Sequence, residues 1–215
     1  MNKNRLEAFS DGVMAIIITI MVLDLHAPHE ASLAALRPLL GVFLSYVLSF
    51  TYVGIYWNNH HHLLSTLESI NGRVMWANLH LLFWLSLLPF ATSWVGNCGF
   101  ARVPSALYGV VLFVAAIAYW LLQKAIMSTP DGAVVLRKAV GRDWKGKLSP
   151  VLYLTAIASN LWSPWIAQAI YALGALIWVV PDRRIARALK AEAPHDLHSD
   201  LPDLTHGRRE PQERP

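Results

Sequence analysis

The stretch LSPVLYLTAIASNLWSPWIAQAIYALGALIWVVP (148–181) carries no Asp, Glu, Lys or Arg over its 34 residues. About 20 apolar residues in an α-helix cross the hydrocarbon core of a bilayer, so this run is too long for one span and short for two. Ser163-Pro164 settles the choice, because proline interrupts the helical hydrogen-bond ladder. It divides the run into 15 and 17 residues, 148–162 and 165–181. Two short spans in a tight hairpin bring the chain back to the side it left. One span would place the basic segment after Asp182 on the opposite face, so the whole topology turns on this stretch.

Four further uncharged runs precede it: 12 residues between Asp11 and Asp24, 30 between Arg37 and Glu68, 28 between Arg73 and Arg102, and 21 between Arg102 and Lys124. Over 215 residues, 55% are hydrophobic and only 15% charged, with nine Trp and a mean hydropathy of +0.38. A soluble globule carries about 25% charged residues, so water-soluble classes are excluded first. The 12-residue run is too short to span alone, but a helix from Arg5 to about Leu25 has 21 residues and reaches across at about 1.5 Å per residue. Its polar ends then need protein or water around them. Lys3 and Arg5 upstream suit a signal peptide, but Asp24-Leu25-His26-Ala27-Pro28 offers no small-x-small cleavage site. The chain is therefore read as an all-α membrane protein with six spans, at about 5–25, 38–62, 74–94, 104–127, 148–162 and 165–181. Pro38 suits a first helical turn. Residues 1–181 form the membrane domain, and 182–215 a cytoplasmic basic segment with a disordered tail rich in Pro, Asp, His and Arg.

The net charge of +4 raises the possibility of a nucleic-acid partner, but the placement of the charges argues for topology instead. With six spans and both termini cytoplasmic, sixteen of the eighteen Lys and Arg lie inside, and only Arg37 and Arg102 lie outside. This is the pattern of the positive-inside rule. The single cysteine, Cys98, excludes an internal disulfide and a cysteine-based metal cluster.

Polar residues at membrane depth are the informative ones, since they are costly there and so functional or paired. Arg5, Phe9, Ser10 and Asp11 open span one. Arg5 and Phe9 share a helical face, and Asp11 is close enough to Arg5 to pair through another group. An ordinary helix start accounts for the same residues. Span two ends in Trp57-Asn58-Asn59-His60-His61-His62. Successive helical side chains point about 100° apart, so the three histidines cannot share one ion and no metal site is read. They form either an interfacial cluster anchored by Trp57 or, through His60 or His61, a hydrogen bond toward span one. Asn78 and His80 on span three suit interhelical hydrogen bonding. Thr51-Tyr52-Val53-Gly54-Ile55-Tyr56 faintly echoes a potassium-filter loop, but it lies within a continuous hydrophobic run in the wrong residue order.

The pattern Arg5-x-x-x-Phe9-Ser10-Asp11, followed by Gly12-Val13 and an isoleucine-rich run, resembles the bacterial transmembrane protein one-seven-five family, relatives of the endolysosomal potassium channel. Gly54-Ile55-Tyr56-Trp57-Asn58-Asn59-His60-His61, then Asn78 and Leu87-Leu88-Pro89-Phe90, continue the likeness over residues 5–95. The resemblance implies a homotetramer of six-span subunits in the inner (plasma) membrane, with span one lining a central path. It also implies potassium-permeable, cation-selective conduction without a reentrant pore loop, without a cofactor other than the permeating potassium ion, and without enzymatic activity. By position after the motif, Ile16, Ile20 and Leu23 are the constricting residues and Thr19 the polar one tied to selectivity. Arg5, Phe9, Ser10, Asp11, Trp57, His60, His61 and Asn78 then form a network that fixes span one.

Helical geometry is compatible with that transfer. At about 100° per residue, Ile20, Leu23 and Thr19 lie roughly 40°, 20° and 60° from Ile16, one narrow stripe. A buried packing stripe has the same spacing. Asp24, past the end of the stripe, either enriches cations at an outer mouth or is a solvated helix end. The competing function is a cation-coupled secondary transporter, which calls for acidic residues deep in mid-span. Here Asp11 and Asp24 lie near span ends, and spans two to six contain none.

Overall fold

The computed structural model describes residues 3–130 and 144–179. The basic stretch 131–143 and the segment 182–215 lie outside the described residues. Those described form seven α-helices and one short 3-10 helix.

Helix α1, Lys3–Leu23, runs 21 residues, about 31 Å at 1.5 Å per residue. It buries Leu6, Ser10, Met14, Ile17 and Met21, steps of three and four that mark one helical face. Beyond Leu23 the backbone turns, with Leu25 N–H on Val22 O and His26 N–H on Asp24 O. A 3-10 helix, Leu33–Leu39, starts where the Ser32 side chain accepts the Ala35 N–H and contains Pro38. Proline therefore sits in this lead-in and not in the first turn of α2, Leu40–Ser65.

Asn71 caps α3, Gly72–Ser86, by accepting the Val74 N–H at 2.9 Å. Helix α4, Leu88–Asn97, follows after Leu87 alone. The stretch read as one span over 74–94 is thus a kinked pair. Its break lies at Pro89, which has no N–H to give to the preceding turn. Helix α5, Arg102–Met127, is reached through Gly99 and Phe100, both at positive φ (57° and 61°). For phenylalanine that backbone is strained, and its ring is held against Trp165 at 5.3 Å between centroids. Helices α6, Trp144–Ser159, and α7, Pro164–Val179, form the hairpin, with Pro164 at the position where a missing N–H is harmless.

Counting α3 and α4 as one rod, six apolar rods form the bundle. Four, Lys3–Leu23, Leu33–Ser65, Gly72–Asn97 and Arg102–Met127, are long and apolar enough to cross a membrane, and the two hairpin helices are shorter. Helix α1 packs on α2, α3 and α4, while α5 packs on α3 and α6. Small residues let backbones close up where α2 meets α4. A Cβ on Gly96 would stand 2.7 Å from Val42 Cα, an approach glycine alone permits. Deeper in, the Tyr52 hydroxyl donates to Tyr171 O at 2.6 Å, the Tyr171 hydroxyl donates to Ser105 O at 3.1 Å, and Ser49 meets Tyr108 at 3.0 Å. Each joins two helices through polar groups that lipid could not satisfy.

Candidate functional site: an anchored first helix

Three polar contacts tie the start of α1 to the end of α2. Lys3 Nζ donates to Ser65 O at 3.3 Å, His61 Nδ1 meets Glu7 Oε1 at 2.7 Å, and Trp57 Nε1 donates to Asp11 Oδ1 at 3.1 Å. Each step of four along α1 is matched by a step back of four along α2. That is the register of two antiparallel helices meeting along their i, i+4 rows.

Behind these rungs lies a buried relay. The Asn78 side chain, on α3, donates to Ser10 Oγ at 2.9 Å, so its oxygen is left to accept, and His60 Nε2 donates to it at 2.6 Å. The Ser10 hydroxyl passes its own proton one turn back to Leu6 O at 2.8 Å. All three side chains are fully buried. The relay ends at His60 Nδ1, which is buried without a hydrogen-bond partner.

The histidine run therefore divides. His60 turns to α3, His61 turns to Glu7 while half exposed, and His62 lies against the His61 ring at 5.7 Å between centroids. Among the described residues no three His, Cys, Asp or Glu come together as a metal site. Asp11 pairs with Trp57 and not with Arg5. Arg5 and Phe9 stand exposed on another face of α1 and do not join the network among the described residues. His80 accepts from Trp84 Nε1 one turn along its own helix. Lys3 and Glu7 were missed in the sequence, although their spacing to Asp11 mirrors that of Ser65, His61 and Trp57.

The stripe of Ile16, Thr19, Ile20 and Leu23 is uncovered: Ile16 is 58%, Ile20 49% and Leu23 75% exposed, and Thr19 is exposed too. It lies roughly 130° around α1 from the buried row at about 100° per residue. The Thr19 hydroxyl donates to Ile16 O at 2.9 Å. Its proton is used within the helix, and the oxygen keeps its acceptor side outward. Asp24 lies just past the helix. Its Oδ2 is buried without a partner, while its backbone oxygen faces the His26 ring at 3.0 Å.

The family model described as endosomal/lysosomal potassium channel TMEM175 matches residues 5–89. That range holds two of the three rungs, the relay and the whole stripe, and it ends at the Pro89 kink. A potassium channel of Chryseobacterium sp. (strain P1-3) is 52% identical over 190 residues, covering 88% of this chain and 99% of the relative. The human endosomal/lysosomal proton channel TMEM175 is 34% identical over 74% of this chain, which spans 36% of that protein's length. Among solved structures, the crystal structure of a lysosomal potassium-selective channel TMEM175 homolog from Chamaesiphon minutus aligns with a TM-score of 0.72. The identity is 26%, covering 84% of this chain and 97% of that one. That match extends well beyond residue 89, to a length of chain that must include much of α5 to α7. With a relative matched along nearly its full length at half identity, the chain belongs to the TMEM175 channel family.

Proposed function

We propose that the chain is a potassium-permeable, cation-selective channel, working as a homotetramer with α1 around a central path. The observation that carries this is the uncovered stripe on a helix pinned along its other side. Ile16, Thr19, Ile20 and Leu23 are exposed while α2, α3 and α4 pack on the rest of α1. The potassium-channel name of the Chryseobacterium relative and the potassium-selective description of the Chamaesiphon structure support the choice of ion.

Around a four-fold axis, Ile16, Ile20 and Leu23 become three apolar rings. A narrow apolar ring sheds water and holds back a hydrated cation, so the gate works by dewetting. Thr19 lies between these rings with its proton committed to Ile16 O, so it offers the path an oxygen lone pair, the polarity a cation needs. Asp24, with one carboxylate oxygen unpaired, enriches cations at the outer mouth. Ser10, Asp11, Trp57, His60, His61 and Asn78 hold α1 in place and do not touch the ion. Arg5 and Phe9, exposed beside the stripe, take their contacts from neighbouring subunits. The charge bias supports cytoplasmic termini at both ends of a multi-pass protein of the plasma membrane, with residues 1–181 as the channel domain and 182–215 as a cytoplasmic segment. The chemistry needs no cofactor beyond the permeating potassium.

Purified protein in liposomes is expected to pass potassium down its own gradient with no proton or sodium gradient imposed. Ile16→Asn, which wets the first ring, is expected to raise that flux at least several-fold. An unchanged flux overturns the gate assignment, and strict dependence on a second ion's gradient overturns the channel in favour of a coupled carrier.

A further inference from the structure

Beyond the Asp11 rung, the buried face of α1 consists of Met14, Ile17 and Met21, and one polar group reaches it. The Thr92 hydroxyl, on α4, donates toward Met21 Sδ at 3.8 Å. Among the described residues this is the one hydrogen bond from another helix to α1 past Asp11. The same hydroxyl stands 2.6 Å from Leu88 O in its own helix and 2.7 Å from Ser49 Oγ on α2. Ser49 in turn meets the Tyr108 hydroxyl of α5 at 3.0 Å. Met21, Ser49, Leu88, Thr92 and Tyr108 are all buried.

A threonine hydroxyl has one proton to give, and here three acceptors on three helices compete for it. The bond to Leu88 O, four residues back, satisfies the hydroxyl by itself. Valine fills the same volume with no polar group to satisfy, so the reach to α2 and α1 is what threonine adds. The three acceptors are unequal. Carbonyl and hydroxyl oxygens accept well, and a thioether sulfur accepts weakly. When α1 moves off, the proton leaves Met21 at little cost, because Leu88 O and Ser49 Oγ remain to take it.

We propose that Thr92 is a positioning residue for the Leu23 end of α1, a latch that biases that end toward its position in the structure and releases it without stranding a polar group. The inference rests on the reading of Ile20 and Leu23 as channel rings. Thr92 stays off the ion path and acts through Met21, which lies on the buried face between those two residues in sequence. A weak hydrogen bond traded for a stronger one biases each subunit about threefold, and roughly eightyfold at most if four subunits move together.

The test places a nitroxide spin label at Leu23→Cys, or at Ala8→Cys as a control among the rungs, in a Cys98→Ser background of the full chain in lipid nanodiscs. Thr92→Val is expected to raise the mobile fraction of the label at 23 about threefold and to leave the label at 8 unchanged. Thr92→Ser, which restores the hydroxyl, keeps the parent spectrum. Met21→Leu reproduces the effect of Thr92→Val, and the two together add nothing further. Ser49→Ala spares the bond to Met21, so position 23 stays at the parent value. Loosening at 8 and 23 alike, a Ser49→Ala spectrum matching that of Thr92→Val, or additive effects of Met21→Leu and Thr92→Val reduce Thr92 to a packing residue and overturn the latch. In unlabelled protein, Thr92→Val is expected to raise potassium flux into liposomes about threefold or more, with Thr92→Ser at the parent level. A conducting parent whose label at 23 ignores Thr92→Val overturns the latch alone. A label that responds in a protein passing no potassium supports the latch and overturns the channel reading.

Discussion

Asn78 divides its amide between two helices, taking the His60 Nε2–H on its oxygen and giving its nitrogen to Ser10. Neither lost bond is replaced, since all three side chains are buried and lipid supplies no partner. Asn78→Leu therefore leaves His60 without a partner at either ring nitrogen and Ser10 with only its bond to Leu6 O. It is expected to destabilise the assembled protein by about 1–3 kcal/mol, read as a lowered melting temperature in detergent. Glu7→Gln removes a contact of similar length, but to a half-exposed His61. Exposed pairs contribute about 0–1 kcal/mol, so its melting temperature is expected to stay near that of the parent. Equal losses for the two variants contradict this ordering. Thr19→Val keeps the shape and removes the oxygen turned away from Ile16. Flux is expected to persist while potassium-over-sodium preference falls, as measured by reversal potentials in planar bilayers.

At the scale of elements, the closest backbone approach is α2 against α4 at Gly96. Gly96→Val places branched carbons where Val42 Cα and Ser45 Oγ already stand. Such overpacking is expected to destabilise by about 1–3 kcal/mol, measured as loss of folded protein on heating. The element boundaries show what the sequence could and could not tell. The charge-free runs and Ser163-Pro164 placed the apolar rods. Pro89 stood in view as part of the Leu87-Leu88-Pro89-Phe90 motif, yet its effect on the helix went unread because hydropathy runs unbroken across it. A hydrogen bond from His60 or His61 toward span one was expected, but Glu7 as the partner of His61 was illegible for a different reason. An acidic residue near a helix start is already explained by the helix dipole, so nothing in a single helix asks for a partner on the next one. For the adjacent His60, His61 and His62, helical rotation was legible in the sequence, but the separate partners were not. That rotation of about 100° per residue leaves a buried relay member, a half-exposed pair with Glu7 and a ring contact.

At the scale of the whole molecule, the proposed four-fold assembly brings the same residue from several subunits together at the axis. In a Cys98→Ser background, Leu23→Cys is expected to form disulfide-linked dimers with a mild oxidant, because Leu23 is exposed on the stripe. Leu6→Cys, on the buried face, is not. The reverse pattern removes α1 from the axis. Assembly was not legible from periodicity, since a stripe that packs and a stripe that lines a pore repeat at the same 3.6-residue interval. Exposure of the stripe, visible only once the other face of α1 is seen to be occupied, shows that it does not pack within its own chain.

The matched four-residue rungs also set which way α1 is free to move. Sliding α1 along α2 by one residue breaks Lys3–Ser65, Glu7–His61 and Asp11–Trp57 together, so piston motion is blocked unless it jumps a full turn. Above Asp11 the buried contacts are the side chains of Met14, Ile17 and Met21, flexible or oily surfaces that tolerate sliding and repacking. The helix is thus a lever clamped at one end, with Asp11 as its fulcrum and an arm to Leu23 of about 18 Å. A tilt of about 6° at the fulcrum swings the Leu23 end about 2 Å sideways over that arm. The clamp converts a small angular change into sideways travel, largest at the Leu23 end of the helix.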